Sequence, residues 1–218
     1  MRGYRGRTLL QSLDYHRDIL RGRYVPMLCP TLSETSALHP SGLSLSRLYR
    51  ARNLLIYKAT WDRSFNLREF LDTSCIAEKR VVHMVRNAEL RALAEMLGPK
   101  VLEKAREQVL MLQRLELSGG YFVSEVLHSE IVRSQFLTRP VAELESEGIC
   151  KGSLATVLKI AVDIAFHQSE RVELYFENKL LFPEMKLDRN MWRCWRFEKD
   201  VDPRASWMVS EIVEIHSP

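Results

Sequence analysis

Apolar positions in the middle of the chain recur every three or four residues, which predicts helices rather than strands. Asn66 is a favourable helix N-cap, and Glu69 stands three residues later in the reciprocal capping position. Phe65 and Phe70 are placed to pack against each other across the first turn. The pattern therefore predicts that a helix begins directly after Asn66.

Two further helices are predicted before the first pair of adjacent glycines. Asn87 is expected to cap a short helix over residues 88–97, which Gly98 would end. Proline is favoured in the first turn of a helix, so Pro99 would start a third helix that reaches residue 115. The glycines at 119 and 120 would stop it.

After residue 120 the hydrophobic period changes from about 3.6 to two, which indicates strands. The predicted strands cover residues 121–126, 131–137, 158–166, 172–177, 192–199 and 206–215. Alternation in the fifth strand places Trp195 and Phe197 on one face with Arg193 and Lys199. In the last strand Trp207, Val209, Val213 and Ile215 are expected on one side.

Helices followed by a run of antiparallel strands predict an α+β domain, with the helices packed on one face of a sheet. We expect this domain to occupy residues 61–218 and to contain a curved, mainly antiparallel sheet of four or five strands. Residues 1–60 are expected to form an extended basic arm and linker, because residues 31–46 are rich in Ser, Thr and Pro and lack a period.

Charge is concentrated at the N-terminus. The first 58 residues contain ten Lys or Arg and only three acidic residues, whereas the whole chain has a net charge of +4. Arginine binds phosphate through two parallel hydrogen bonds and keeps its charge when partly buried. The candidate RNA-binding residues are Arg2, Arg5, Arg7, Arg17, Arg21, Arg23, Arg47, Arg50 and Arg52.

Three interpretations of this arm remain open. An arginine-rich, acid-poor N-terminus is typical of a mitochondrial transit peptide. It also suits a ribosomal extension that follows RNA phosphates, and tyrosines among the arginines favour stacking on bases. The third interpretation is an ordinary solvated tail.

Motifs for catalysis or cofactor binding are not found. The sequence has no glycine-rich phosphate loop, no nucleophile elbow and no zinc-protease helix. Its four cysteines are scattered, which argues against a zinc site and a disulfide framework. Asp163 could serve as a general base in a pocket, although a polar residue balanced by Lys159 is the simpler expectation. We therefore predict no catalytic residue, no metal, no cofactor and no small-molecule substrate.

The C-terminal half resembles the Tim-forty-four-like domain family. The resemblance rests on WRCWRFEKD at residues 192–200, SWMVSEI at 206–212 and the helix start FNLREF at 65–70. It covers roughly residues 62–216. Within the family, FVSEVLHSEIV at 122–132 looks most like the member found in the mitochondrial large ribosomal subunit, which docks the ribosome at the inner membrane.

This resemblance implies a structural protein of the mitochondrial large ribosomal subunit, near the tunnel exit. The implied partners are mitochondrial rRNA, neighbouring ribosomal proteins and the inner-membrane surface, in the matrix and without self-association. Other family members imply an alternative, an inner-membrane adaptor that serves protein import or the m-AAA protease without binding RNA. No apolar segment is long enough to span a bilayer, so contact with the membrane would be peripheral.

Overall fold

The computed structural model describes residues 47–114, 117–139, 157–176, 179–180 and 187–215. In this part of the chain helices come first and pack on one antiparallel sheet, so the predicted α+β class is confirmed. The helices are α1 (Arg47–Thr60), α2 (Leu67–Arg86), α3 (Leu90–Met96) and α4 (Pro99–Arg114). The strands are β1 (Leu117–Arg139), β2 (Val157–Phe176), β3 (Lys179–Leu180), β4 (Leu187–Asp200) and β5 (Met208–Ile215).

Helix α1 lies where an extended linker was predicted, so that prediction is wrong for residues 47–60. Ala51, Leu54 and Tyr57 are buried and stand three residues apart, which places them on one side of the helix. They attach α1 to the core beside β1, where Asn53 Nδ2 also donates to the Ser134 carbonyl at 2.6 Å. The folded unit therefore begins before residue 60.

The start of α2 is as predicted. Asn66 Oδ1 accepts hydrogen bonds from the backbone N–H of Arg68 at 3.1 Å and of Glu69 at 3.5 Å. The ring centroids of Phe65 and Phe70 lie 5.6 Å apart, which confirms their contact across the first turn.

Asn87 has a different role from the one predicted. It ends α2, because its N–H donates to the carbonyls of His83 and Val85. Ala88 then adopts a left-handed backbone with φ 58°, and α3 starts only at Leu90 without a side-chain cap. The left-handed turn separates Asn87 from the next helix and prevents it from acting as its N-cap.

The junction of α3 and α4 is held by the last strand. The Gly98 N–H donates to the Val209 carbonyl at 2.7 Å, and Leu97 forms a parallel bridge with Val209. A Cβ at Gly98 would lie 3.3 Å from both the Val209 oxygen and the Ser210 Cα. A side chain here would therefore crowd the β5 backbone, and glycine avoids that crowding.

The sheet order is β1-β2-β4-β5, and β3 pairs with the end of β2. Each of the two longest strands replaces two shorter predicted ones. In β1 the expected break is absorbed by irregularities between Val123 and Glu125, Val126 and His128, and Ile131 and Arg133. Strand β2 stays continuous through its polar middle because it has a hydrogen-bonded neighbour on both sides.

One face of the sheet forms the core with the helices. The alternation predicted for β4 is confirmed, since Trp195 and Phe197 are buried in this core. In β5 the predicted alternation fails after Val209, because a register shift against β4 changes which residues face inward. Ile212 therefore packs beside Trp195, whereas Val213 pairs with Cys194 on the opposite face.

Candidate functional site

The predicted RNA-binding arginines divide into three groups. Arg2, Arg5, Arg7, Arg17, Arg21 and Arg23 lie outside the described residues. Arg47 is the first residue of α1, and Arg52 is exposed five residues further along. Only the arginines of α1 can therefore be placed on the fold.

Arg50 has a different role from the predicted one. It is only 6% exposed, and its Nη1 lies 3.1 Å from Oε2 of Glu130 on β1. Its carbonyl accepts a hydrogen bond from the Ser134 hydroxyl at 2.5 Å. A phosphate has little access to a guanidinium held in this way, so Arg50 attaches α1 to the sheet. Its three-to-four spacing from Leu54 was the sequence signal for that inward position.

The outward side of α1 combines cations with apolar residues. Arg52 and Lys58 are exposed, Leu55 is 49% exposed and Ile56 is 37% exposed. The helix contains no acidic residue. The positive charge of the N-terminal region thus continues onto the surface of the folded domain.

We call the sheet face opposite the core the outer face; it carries Ala161, Asp163, Ala165 and His167 of β2 with Trp192, Cys194 and Arg196 of β4. Asp163 is 2% exposed and binds two arginines on its neighbouring strands. Arg196 Nε donates to Oδ1 at 2.7 Å, and Arg133 Nε donates to Oδ2 at 3.1 Å. Lys159, the predicted counter-ion, instead lies 3.8 Å from Asp200.

This arrangement makes Asp163 a structural counter-ion rather than a free base. Arg196 also contacts Glu211 of β5 at 2.8 Å, so the ionic chain crosses all four main strands. The hydrogen bond that Arg196 donates to Asp163 raises the pKa of Arg196 above its ordinary value. The network joins strands that are far apart in sequence, which explains why local spacing did not reveal it.

Three rings lie in one row across the outer face. His128, His167 and Trp192 are consecutive cross-strand neighbours on β1, β2 and β4. His167 and Trp192 are stacked, with centroids 4.7 Å apart and an interplanar angle of 7°. His128 meets Trp192 edge to face at 6.2 Å. Trp192 also packs on a small apolar cluster with Ala165 and Cys194.

A second ionic group lies inside the core, between α2 and the sheet. Arg193 and Glu170 are both fully buried, and their Nη1 and Oε2 atoms lie 2.5 Å apart. Glu78 of α2 is also fully buried near this pair, and Gln168 is buried beside it. Burial raises the pKa of Glu78 to about 8, with Glu170 acting in the same direction and Arg193 opposing it. Glu78 therefore holds a proton at neutral pH.

This proton predicts a pH-dependent stability. The folded chain keeps it up to about pH 8, whereas an unfolded glutamate releases it near pH 4.5. The free energy of unfolding should therefore fall as pH rises through this window, by up to about 1.4 kcal/mol per unit. Glu78→Gln should flatten that slope in urea titrations run at several pH values. The exposed Glu103→Gln should keep the wild-type slope, and equal slopes for all three proteins would contradict the assignment.

A cleft of about 440 Å³ lies where α4 begins, beside β4 and β5. Its charged lining is largely paired: Lys159 with Asp200, and Arg196 with Glu211. The Ser210 hydroxyl donates to Glu198 at 2.8 Å. Most of the charged groups in this cleft therefore already have a partner among the described residues.

The described residues include no group of three or more His, Cys, Asp or Glu able to hold a metal ion. Within the same ranges, no helix combines the length and the apolar character needed to cross a bilayer. Cys75 and Cys194 are unpaired there, and burial raises the pKa of the Cys194 thiol.

Comparison with known proteins adds little. No family model and no curated protein matches the chain. Among solved structures the chain is similar to the intermembrane space region of the chloroplast protein ARC6, with a TM-score of 0.38 and 14% sequence identity. The match covers 77% of this chain and 97% of that one. At this level the likeness carries no argument about family or function.

Proposed function

We propose that the protein is a non-enzymatic constituent of the mitochondrial large ribosomal subunit, located in the matrix near the tunnel exit and the inner membrane. Its basic N-terminal region contacts rRNA, and its α+β domain contacts neighbouring proteins and the membrane surface. The observation that carries this proposal is the charge of the first 58 residues, ten cations against three acids. Four of these cations belong to α1, which contains no acidic residue.

The sequence resemblance supports the choice of a ribosome. The quoted motifs resemble the Tim-forty-four-like domain, and one segment of β1 looks most like its ribosomal member. The paired role of Asp163 also favours binding over catalysis, because its oxygens already accept hydrogen bonds from two arginines.

The proposal predicts that RNA binding weakens strongly as the salt concentration rises, and that the arginines of the arm cause this effect. Each phosphate contact with single-stranded nucleic acid contributes a slope of roughly −0.7 to a plot of log affinity against log salt. Changing Arg2, Arg5, Arg7, Arg17, Arg21 and Arg23 together to Gln in the full chain should therefore reduce the slope by up to about 4. Binding of a labelled rRNA fragment at several salt concentrations measures this slope.

A matched control removes the same charge from the exposed helix surfaces. It carries Gln at Arg68, Lys79, Arg80, Arg91, Lys100 and Arg106, all of which are exposed. This control should keep most of the wild-type slope. If both variants lose the same amount, net charge alone explains binding and the arm has no specific role.

The alternative function is a peripheral inner-membrane adaptor without RNA. It is favoured by the outward side of α1, where Leu55 and Ile56 accompany Arg52 and Lys58, since basic amphipathic helices bind anionic membrane surfaces. Salt-sensitive binding to cardiolipin-rich vesicles, together with no arm-dependent binding of rRNA, would favour this adaptor over the ribosomal protein.

A further inference from the structure

The outer face bears no helix within the described residues. The apolar cluster there contains only strand residues, namely Ala165, Cys194, Val132 and Trp192, whereas the opposite face packs against the helices. His128 is exposed, and His167 and Trp192 are partly exposed. The face therefore presents an aromatic row at its surface.

The geometry of this row suits a further stacked ring. His167 and Trp192 are already parallel, and His128 and the same indole lie edge to face. Open sheets that recognise single-stranded RNA use aromatic rings in this way, because every base has a flat π-face. Every base can stack, so an aromatic row of this kind would accept a base of any identity.

A side chain able to donate hydrogen bonds to a phosphate lies on the same face. Arg133 is 47% exposed, and its Nε is fixed by Asp163 at 3.1 Å. Its Nη1 and Nη2 make no hydrogen bond to another described residue. Asp163 therefore orients the guanidinium group, and the two terminal nitrogens can still donate to a ligand. Arg133 pairs with Asp163, four positions along β2 from His167, which corresponds to a separation of about 13 Å. One or two nucleotides span this distance.

We propose that the outer face binds unpaired nucleotides of RNA, with a base stacked on the His128, His167 and Trp192 row and a phosphate held by Arg133. The inference rests on the proposed function, which names RNA as the partner. It adds to the arm a second RNA contact, on the folded domain. It is independent of the arm, because none of these residues belongs to the first 58.

The test uses the full chain and two labelled probes, an oligo(U) octamer and a ribose-phosphate oligomer of the same length without bases. Trp192→Ala should weaken binding of oligo(U) by roughly 5- to 150-fold, the usual effect of losing one stacking ring. It should leave binding of the abasic oligomer unchanged. Trp192→Phe retains a ring and should keep most of the affinity for oligo(U).

Arg133→Gln tests the phosphate contact. It should weaken both probes, whereas Arg106→Gln, which removes an exposed arginine from α4, should weaken them much less. Equal losses for the two arginine variants would show a general charge effect and overturn the assigned phosphate site.

Fluorescence of the wild-type protein provides a measurement that does not depend on the folding of Trp192→Ala. Stacking should quench Trp192, so oligo(U) should quench the wild type more than Trp192→Phe. If full-length protein binds neither probe but still binds the rRNA fragment, this inference is wrong and the proposed function stands. If it binds neither the probes nor the rRNA fragment, the proposed function fails. If the full-length protein binds RNA with a steep salt slope while Trp192→Ala and Trp192→Phe match the wild type, this inference is wrong. The proposed RNA-binding role of the arm then still stands.

Discussion

Replacing Arg193 by Met is expected to lower the free energy of unfolding by about 3–5 kcal/mol, the usual cost of breaking a buried ion pair. Arg193 and Glu170 are both fully buried, so the substitution leaves a carboxylate with its main counter-ion removed inside the core. It also removes the positive charge that opposes the raised pKa of Glu78. Urea unfolding at pH 7 measures the loss.

Two controls separate the charge from the shape of the side chain. Combining Arg193→Met with Glu170→Leu should recover much of the stability, because buried ion pairs replaced by apolar residues are often neutral or more stable. Lys104→Met breaks an exposed pair with Glu107 and should cost at most about 1 kcal/mol. A loss for Arg193→Met as small as that for Lys104→Met would contradict the buried-pair interpretation.

Trp195→Ala is expected to cost about 3–5 kcal/mol, as truncations of large aromatic side chains in cores do. Trp195 is fully buried and packs against Phe166 edge to face, with ring centroids 6.1 Å apart. Many domains have a total stability of only about 5–15 kcal/mol, so the variant should unfold at much lower urea concentrations.

The other tryptophans of the final hairpin provide a graded comparison. Trp207 is partly exposed and lies against Phe70 at 4.6 Å, so Trp207→Ala should cost less than Trp195→Ala. Trp192 is on the outer face, so Trp192→Ala should cost the least. Thermal unfolding of the three variants checks this order. Equal losses would show that burial does not determine the contribution of each ring.

Features set by neighbouring residues were predictable from sequence. The Asn66 cap and the Phe65–Phe70 contact depend on a single helical turn, and the strict alternation in β4 places Trp195 on the core face. The length of β1 and the inward switch to Ile212 were not predictable, because bulges depend on the partner strand. The arginines of residues 47–60 suggested an extended arm, although the helical spacing of Ala51, Leu54 and Tyr57 in the same segment indicated α1.

The candidate site was predictable only as a distribution of charge. The excess of arginine is visible in the sequence, but the burial of Arg50 depends on Glu130, eighty residues away. The aromatic row also depends on residues that are distant in sequence, since His128, His167 and Trp192 meet only when three strands pair in register. Pairing between distant strands is not encoded in local spacing, so sequence alone could not place these residues together.

The bond between Gly98 and Val209 has a consequence for synthesis of the chain. The helices emerge from the ribosome first, but the backbone group that holds the α3–α4 junction belongs to the last strand. Val209 and Ile212 of β5 also complete the core, so the helices cannot bury their apolar sides fully until β5 has left the ribosome. Contacts of such long sequence separation form slowly. The nascent chain should therefore depend on protection from aggregation until β5 has emerged and paired.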